Sequence, residues 1–418
     1  MKIVLVHNTY QQPGGEDAAF RNEYNLLTKA GHEVVAHVRS NHDVSHYVSV
    51  RQLALAKRTI WASDTRVEFR QLLLREKPEI VHVHNTFLMV SPSVYWACRD
   101  ANVPVIQTLH NYRLICPGGT LFRDGRVCEE CVKKGVWQSV RYGCYRNSRP
   151  YSALVAAMLT THRLLGTWSR MIDYYLALTA FARRKFIEGG IPADKILVKP
   201  NFVYPDPGDG NGERSYALFV GRLSPEKGLP TLLAAWARLG ISMPLHIIGD
   251  GPVQAQLEEY VRQLHIPNVR FLGSLKWELV VAAMKGALCL LFPSECYEGL
   301  PMTVIEAFAC GTPVIASRMD SRQELISEGS TGLHFTPGDA DDLASKARWA
   351  WKHPGDLAEM GKRARREYEA KYTSARNYKM LLEIYDRAIQ NHDARPKGFE
   401  ADLATSASSF GAGQEPSC

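Results

Sequence analysis

Short apolar runs bounded by Gly, Pro and polar residues recur along this 418-residue chain, and amphipathic stretches of helical period separate them. In the first half, residues 2–6, 34–38, 80–84, 103–109, 176–179 and 196–199 read as buried parallel strands. Residues 51–77 read as a basic helical region ending before Pro78, and 151–170 as a helix with one strongly apolar face. Residues 201–214 are rich in Pro, Gly, Asp and Asn and lack apolar period, which marks a domain boundary. The alternation restarts with apolar runs at 216–220, 245–248, 269–272, 287–292 and 314–316, and after Asp339 the pattern is helical throughout. Strand, turn and helix repeating on both sides of a linker predict an α/β chain of two Rossmann-like, doubly wound domains facing across a cleft. The expected N-terminal domain is 1–200 with an insertion at 111–150, the linker 201–214, and the C-terminal domain 215–372. A last helix, 373–390, is expected to pack back on the N-terminal domain, and 391–418 reads as a disordered tail.

Length agrees with two cores, and the composition (45% hydrophobic, 22% charged) is that of an ordinary globular protein. No apolar run is long enough to span a bilayer, so a cytoplasmic chain is expected. Charge changes the picture more. Residues 1–200 hold 27 basic and 16 acidic side chains, a balance of +11, whereas the remainder carries −4. A basic half points to an anionic partner, which includes a phosphorylated acceptor or the anionic inner face of a membrane. The aromatic and basic residues do not interleave as base-stacking surfaces require, so no nucleic acid is expected. Of nine cysteines, Cys98, Cys289 and Cys310 sit in apolar surroundings and read as core residues. Cys116, Cys128, Cys131 and Cys144 form a C-x11-C-x2-C-x12-C pattern in a segment that looks too poor in apolar residues for its own core. A structural zinc is one reading of that quartet; redox-active thiols and disulfides are the others.

The candidate chemistry clusters at strand ends, where open α/β sheets bind ligands. Gly14 and Gly15 follow the first strand, without a G-x-G-x-x-G fingerprint, and allow close approach of a ligand to the backbone. His84 and His110 end the third and fourth strands. In the second half, Gly221-Arg222-Leu223-Ser224-Pro225-Glu226-Lys227-Gly228 places two cations at a strand end, enough to clamp a diphosphate without a metal, and is not a Walker A loop. The turn at 249–252 reads as a plain turn, and Asp339-Ala340-Asp341 as a helix cap. The stretch 292–313 runs from a buried strand through Glu298-Gly299-Leu300-Pro301-Met302 into a helix carrying Glu306. Pro301 suits the first turn of a helix, and the free N–H groups there form an anion site.

Together Gly14-Gly15, His110, Asn201, G-R-L-S-P-E-K-G and E-G-L-P-M-T-V-I-E resemble glycosyltransferase family 4, retaining transferases of the GT-B fold, over about residues 1–390. The segment T-L-H-N-Y-R-L-I-C-P with its later C-x-x-C resembles bacterial enzymes of surface-polysaccharide biosynthesis. The resemblance implies a nucleotide-sugar donor (UDP- or GDP-linked) and a saccharide or polyprenyl-diphosphate-linked acceptor, with no metal or other cofactor in catalysis. It implies that Arg222 and Lys227 neutralise the leaving diphosphate and that Glu298 holds sugar hydroxyls. Gly14, Gly15, Gly221, Gly299, Leu300, Pro301 and Met302 would line the sugar and phosphates, Glu306 would hold the ribose, and Leu272, Gly273 and Lys276 would flank the base. His110 would approach the donor sugar from the acceptor side. Asn111 departs from the family pattern, where an acidic residue is common. A nucleotide-sugar epimerase, a phosphorylase-like enzyme, or a non-enzymatic binder of anionic ligands or membranes are the competing expectations.

Overall fold

In the computed structural model, residues 1–10, 14–41, 51–210, 214–239, 243–266 and 268–394 are described. Away from the sheet edges the apolar runs form strands buried on both faces, as parallel sheets flanked by helices require. In the N-terminal half these are β1 (Lys2–Thr9), β2 (Glu33–Ser40), β3 (Ile80–Val83) and β4 (Val105–Leu109). The small antiparallel pair β5 (Phe122–Arg123) and β6 (Arg126–Val127) follows, then β7 (Tyr174–Ala177) and β8 (Ile196–Val198). The C-terminal half supplies β9 (Tyr216–Val220), β10 (Leu245–Ile248), β11 (Val269–Phe271), β12 (Ala287–Phe292), β13 (Val314–Ser317) and β14 (Gly332–Phe335). Each half closes one six-stranded sheet, in the orders β2-β1-β3-β4-β7-β8 and β11-β10-β9-β12-β13-β14. In both sheets the chain reverses direction beside the first strand, which opens a crevice at the carboxyl ends of β1/β3 and of β9/β12. The segments singled out for chemistry follow β1, β3, β4, β9 and β12, so the two crevices collect them.

The last helix, Ser374–Asp393, returns to the N-terminal domain. Its Leu381, Ile384, Tyr385 and Ala388 pack with Ile3, Leu5, Ile80, Ile106 and Leu176 of that sheet. Thr373 caps its start, and Asn377 Nδ2 donates to the Pro200 carbonyl at 2.6 Å. The helix runs three residues past 390, because Asn391 bonds to Tyr174 and His392 to Asn102 (3.1 Å). The start of the expected disordered tail is therefore helical, and residues 395–418 lie outside the described residues.

Other sequence expectations shift for local reasons. Strand β7 lies two residues earlier than the apolar run implies, and it stops at Ala177 because Thr179 is the N-cap of the helix Ala180–Glu188. The basic region 51–77 splits into helices Arg51–Ile60 and Ser63–Glu76. The apolar helix is Arg149–Leu164, stopped at Gly166. Strand β14 has no long apolar run behind it and escapes pattern reading. The insertion does not lack a core: Tyr112, Ile115, Cys116, Leu121 and Val136 are buried in the main cluster of the N-terminal domain. That removes the physical argument by which the segment would need a metal to fold.

Candidate functional site

The loop after β9 and the loop after β12 are locked together. Gly228 has φ +68°, and a Cβ there would lie 2.0 Å from the Pro293 carbonyl oxygen, so only glycine allows this contact. A second close approach supports the first loop from behind: a Cβ at Gly249 (φ +129°) would lie 2.0 Å from the Gly221 oxygen. Leu223 N donates to the Asp250 carbonyl at 2.7 Å, so the turn at 249–252 buttresses the cationic loop.

These contacts bring Lys227 Nζ to within 2.6 Å of Glu298 Oε1, to which Ser294 Oγ also donates at 2.8 Å. Burial would lower the Lys227 pKa, but the Glu298 carboxylate outweighs it and holds the ammonium above its ordinary value. Burial likewise works against the Glu298 carboxylate, and Lys227 outweighs it in the opposite sense, leaving Glu298 below its ordinary value. Both groups are therefore charged at neutral pH. Arg222 stands at the mouth, its side chain 57% exposed, bonded to Glu226 at 3.0 Å.

The backbone of Glu298 is held by residues that the sequence reading passed over. Asp320 Oδ2 accepts from Glu298 N at 2.6 Å, and the fully buried Arg322 donates to Asp320 and to the Cys296 carbonyl. Burial pushes Asp320 up, offset in part by Arg322. A polar run just past the carboxyl end of β13 was the available signal, since that edge faces the crevice. Beyond Glu298, Pro301 is the N-cap of the helix Met302–Ala309 and supplies no side-chain acceptor, so the first N–H groups of the helix are available to an anion.

The N-terminal wall closes over this helix start. A Cβ on Gly15 would lie 3.8 Å from Met302 Cγ, and one on Gly299 would lie 3.2 Å from the His110 carbonyl oxygen. Tyr112 Oη donates to the Glu298 carbonyl (3.3 Å), and Thr179 Oγ1 to the Gly299 carbonyl (3.1 Å). The open cleft between the two walls measures about 870 Å³ and is lined by Gly14, Gly15, His110, Asn201, Gly221, Arg222, Lys227 and Glu298 through Thr303. Glu16, also missed, lines it too. Burial raises Glu16 to about 7 while Asn111 Nδ2 donates to it at 3.1 Å. Asn111 thus donates to a carboxylate that an acidic residue at the same position would repel.

Not every predicted residue reaches the cleft lining. Leu272, Gly273 and Lys276 lie past β11, on the edge strand; the Gly273 carbonyl accepts from Gly249 N at 2.8 Å. Glu306 sits on the helix behind Met302, where burial alone pushes its carboxyl up to about 7. Asp339 caps the helix Ala340–Lys352, accepting from Asp341 N and Asp342 N. In the insertion the Cys116 and Cys131 thiols pair, which holds Cys116 down at about 6, and Cys144 lies within their field. Among the described residues, however, the group of three ligand-type side chains whose donor atoms all fall within 4.8 Å of one another is Glu23, His82 and His84. The cysteine quartet is not drawn that tight. The Glu23 group is already engaged: Lys199 Nζ donates to Glu23 Oε2 at 3.1 Å, and His82 Nε2 meets Thr108 Oγ1 at 2.8 Å.

The raised pKa of Glu306 has a definite sign. Its protonated form is the one the fold prefers, so its contribution is intact below about pH 4.5 and is lost as pH rises through about 7. Glu306→Gln should therefore gain stability over the parent across that window, by on the order of 2–3 kcal/mol at its upper end. Urea unfolding at a series of pH values measures this; a pH-independent difference contradicts the burial argument.

Residues 14–201 match the family described as Glycosyl transferase 4-like domain, and residues 205–367 match Glycosyl transferases group 1. D-rhamnosyltransferase WbpZ of Pseudomonas aeruginosa is 34% identical over 161 residues, 38% of this chain and 42% of that protein. The lipopolysaccharide 1,6-galactosyltransferase of Salmonella typhimurium is 34% identical over 183 residues, 41% of this chain and 50% of its own length. The matched regions thus span about half the length of these curated relatives. The crystal structure of Anabaena Alr3699/HepE in complex with UDP superposes with a TM-score of 0.67 at 17% identity, over 93% of this chain and 100% of that one. With both halves matched in order and both sheets in place, the chain belongs to the family 4-like glycosyltransferases of the GT-B fold.

Proposed function

We propose that this chain transfers a sugar from a nucleoside-diphosphate sugar to a hydroxyl of a saccharide or lipid-linked saccharide, in the biosynthesis of a surface polysaccharide. The observation that carries this reading is the Lys227–Glu298 pair at the open helix start, facing His110 across the cleft. When the glycosidic C–O bond breaks, negative charge gathers on the leaving diphosphate. Lys227, Arg222 and the N–H groups of Met302 and Thr303 are preorganised to receive it, which lowers the barrier without a metal. Glu298, ionised and fixed, is suited to accept hydrogen bonds from sugar hydroxyls. A retaining, front-face course completes the reading: the acceptor oxygen bonds to the anomeric carbon on the departing side, and its proton passes to a diphosphate oxygen. The HepE complex holds UDP, which makes UDP-sugars the first donors to test. The lipopolysaccharide galactosyltransferase makes a lipid-linked saccharide the first acceptor class. The excess charge of +11 over residues 1–200 favours a diphosphate-linked acceptor at an anionic inner membrane face. No helix among the described residues is long and apolar enough to cross a membrane, so attachment there would be peripheral.

The zinc reading of the insertion is also a proposal. Cys116, Cys128, Cys131 and Cys144 are all free and offer the thiolate set that structural zinc takes. Elemental analysis of purified protein should find one zinc per chain, lost in Cys131→Ser; a folded parent protein without zinc rejects it.

For the main reading, Lys227→Ala should lower turnover by at least about 100-fold, the usual cost of one preorganised donor at a developing anion, while the thermal unfolding profile stays cooperative. Release of UDP or GDP from a panel of nucleotide sugars in the presence of acceptor measures it. Near-parent transfer by that variant would refute the assignment of the donor site.

A further inference from the structure

Behind His110 runs a chain of buried hydrogen bonds that the proposed transfer does not use. His110 Nε2 meets His84 Nδ1 at 3.0 Å, and His84 Nε2 meets Glu23 Oε1 at 3.2 Å. The rings of His84 and His110 stack at 5.2 Å. Glu23 is buried and also accepts from Lys199 Nζ at 3.1 Å, while its Oε1 lies 2.7 Å from His82 Nδ1. His82 Nδ1 in turn lies 2.9 Å from the hydroxyl of Tyr385, on the last helix. His7, with Asp17 on its Nε2 at 2.8 Å, completes the set of titratable groups around the rings.

The chain of donors and acceptors has one consistent solution. Lys199, first among its charged neighbours, keeps Glu23 well below its ordinary pKa against the cost of burial, so Glu23 is a carboxylate and only accepts. His84 must therefore donate from Nε2. Burial, with His82 nearby, brings His84 down to about 4, so it carries a single proton and its Nδ1 is an acceptor. His110 must then donate from Nε2 to His84. Burial also keeps His110 neutral, which leaves Nδ1 with its lone pair, and Nδ1 has no hydrogen-bond partner within the protein. His110 lines the cleft beside Gly15, Lys227 and Glu298.

We infer that Glu23 and His84 are positioning residues that fix His110 as the Nε2–H tautomer, presenting Nδ1 as the acceptor for a hydroxyl of the bound sugar. The inference deepens the proposed glycosyl transfer and rests on it for the identity of that hydroxyl. Without the relay, either nitrogen of a neutral imidazole can carry the proton. An Nδ1–H ring would oppose a hydroxyl donor instead of accepting from it. Lys199 and Tyr385 extend the relay to the domain boundary and to the returning helix, so the orientation of one cleft side chain is set by three separate parts of the chain.

The test is 15N NMR of histidine-labelled protein at about pH 7, where an unperturbed histidine would be largely neutral. The His110 signals are identified by their loss in His110→Asn. Nδ1 should resonate as an unprotonated, pyridine-type nitrogen and Nε2 as a protonated one. In His84→Phe, which keeps the ring stack but removes the acceptor, the other tautomer should appear. The turnover number should also fall roughly tenfold, the weight of one ordinary hydrogen bond, with KM for the donor little changed. Glu23→Gln provides the same comparison if His84→Phe does not fold. A protonated Nδ1 in the parent overturns the relay, as does a variant that loses stability but keeps the parent tautomer and turnover. The tautomer needs no substrate, so a chain that transferred no sugar would refute the proposed function while leaving the relay to be decided by NMR alone.

Discussion

The cleft depends on one half-buried ion pair, Lys227 with Glu298 at 2.6 Å. Removing two charges from water costs several kcal/mol each unless other groups satisfy them. Here Ser294 adds a hydrogen bond to the Glu298 carboxylate, while Asp320 and the buried Arg322 hold the backbone that carries it. The pair can form because glycines at 228 and 249 let three loops touch at backbone distance. Charge, packing and backbone conformation therefore specify one arrangement. Two opposite charges meet in it at the carboxyl end of a parallel sheet and beside an open helix N-terminus, and the proposed binding of a diphosphate and a sugar rests on that arrangement.

The facing wall is built on a different principle. Around His84 and His110, which burial keeps neutral, it gathers hydroxyls, amides and carboxylates, with Lys199 Nζ on Glu23 at 3.1 Å. One wall thus carries the charge that a leaving group needs. The other orients hydrogen bonds that a hydroxyl can read. The returning helix ties the second wall in place, since Leu381, Tyr385 and Ala388 are buried against the strands that end in His84 and His110.

Much of this was legible in the sequence, and what was not has physical causes. Buried parallel strands are continuous apolar runs, so nearly all were visible, and β14, a four-residue strand of mixed polarity, was not. The cationic loop and the 298–302 motif were legible because glycine and proline at fixed spacing set the local backbone and the charges stand beside them in the chain. Asp339 was readable as a cap for the same reason of local geometry. Arg322 and Glu23 were not readable, since their meaning lies in partners that only the fold brings near; Glu23 and Lys199 are 176 positions apart. The insertion misled in the opposite direction: its few apolar residues looked insufficient alone, yet Ile115 and Leu121 are buried in the core of the domain beneath it.

The central claim is that the Lys227–Glu298 pair and the helix start at Met302 form the seat of a nucleoside diphosphate. A crystal structure of the full chain with UDP or GDP tests it most directly. The account predicts the diphosphate within hydrogen-bonding reach of Lys227 and of the N–H groups of Met302 and Thr303. A nucleotide bound elsewhere, with Lys227 still paired to Glu298 and making no contact to phosphate, would contradict it.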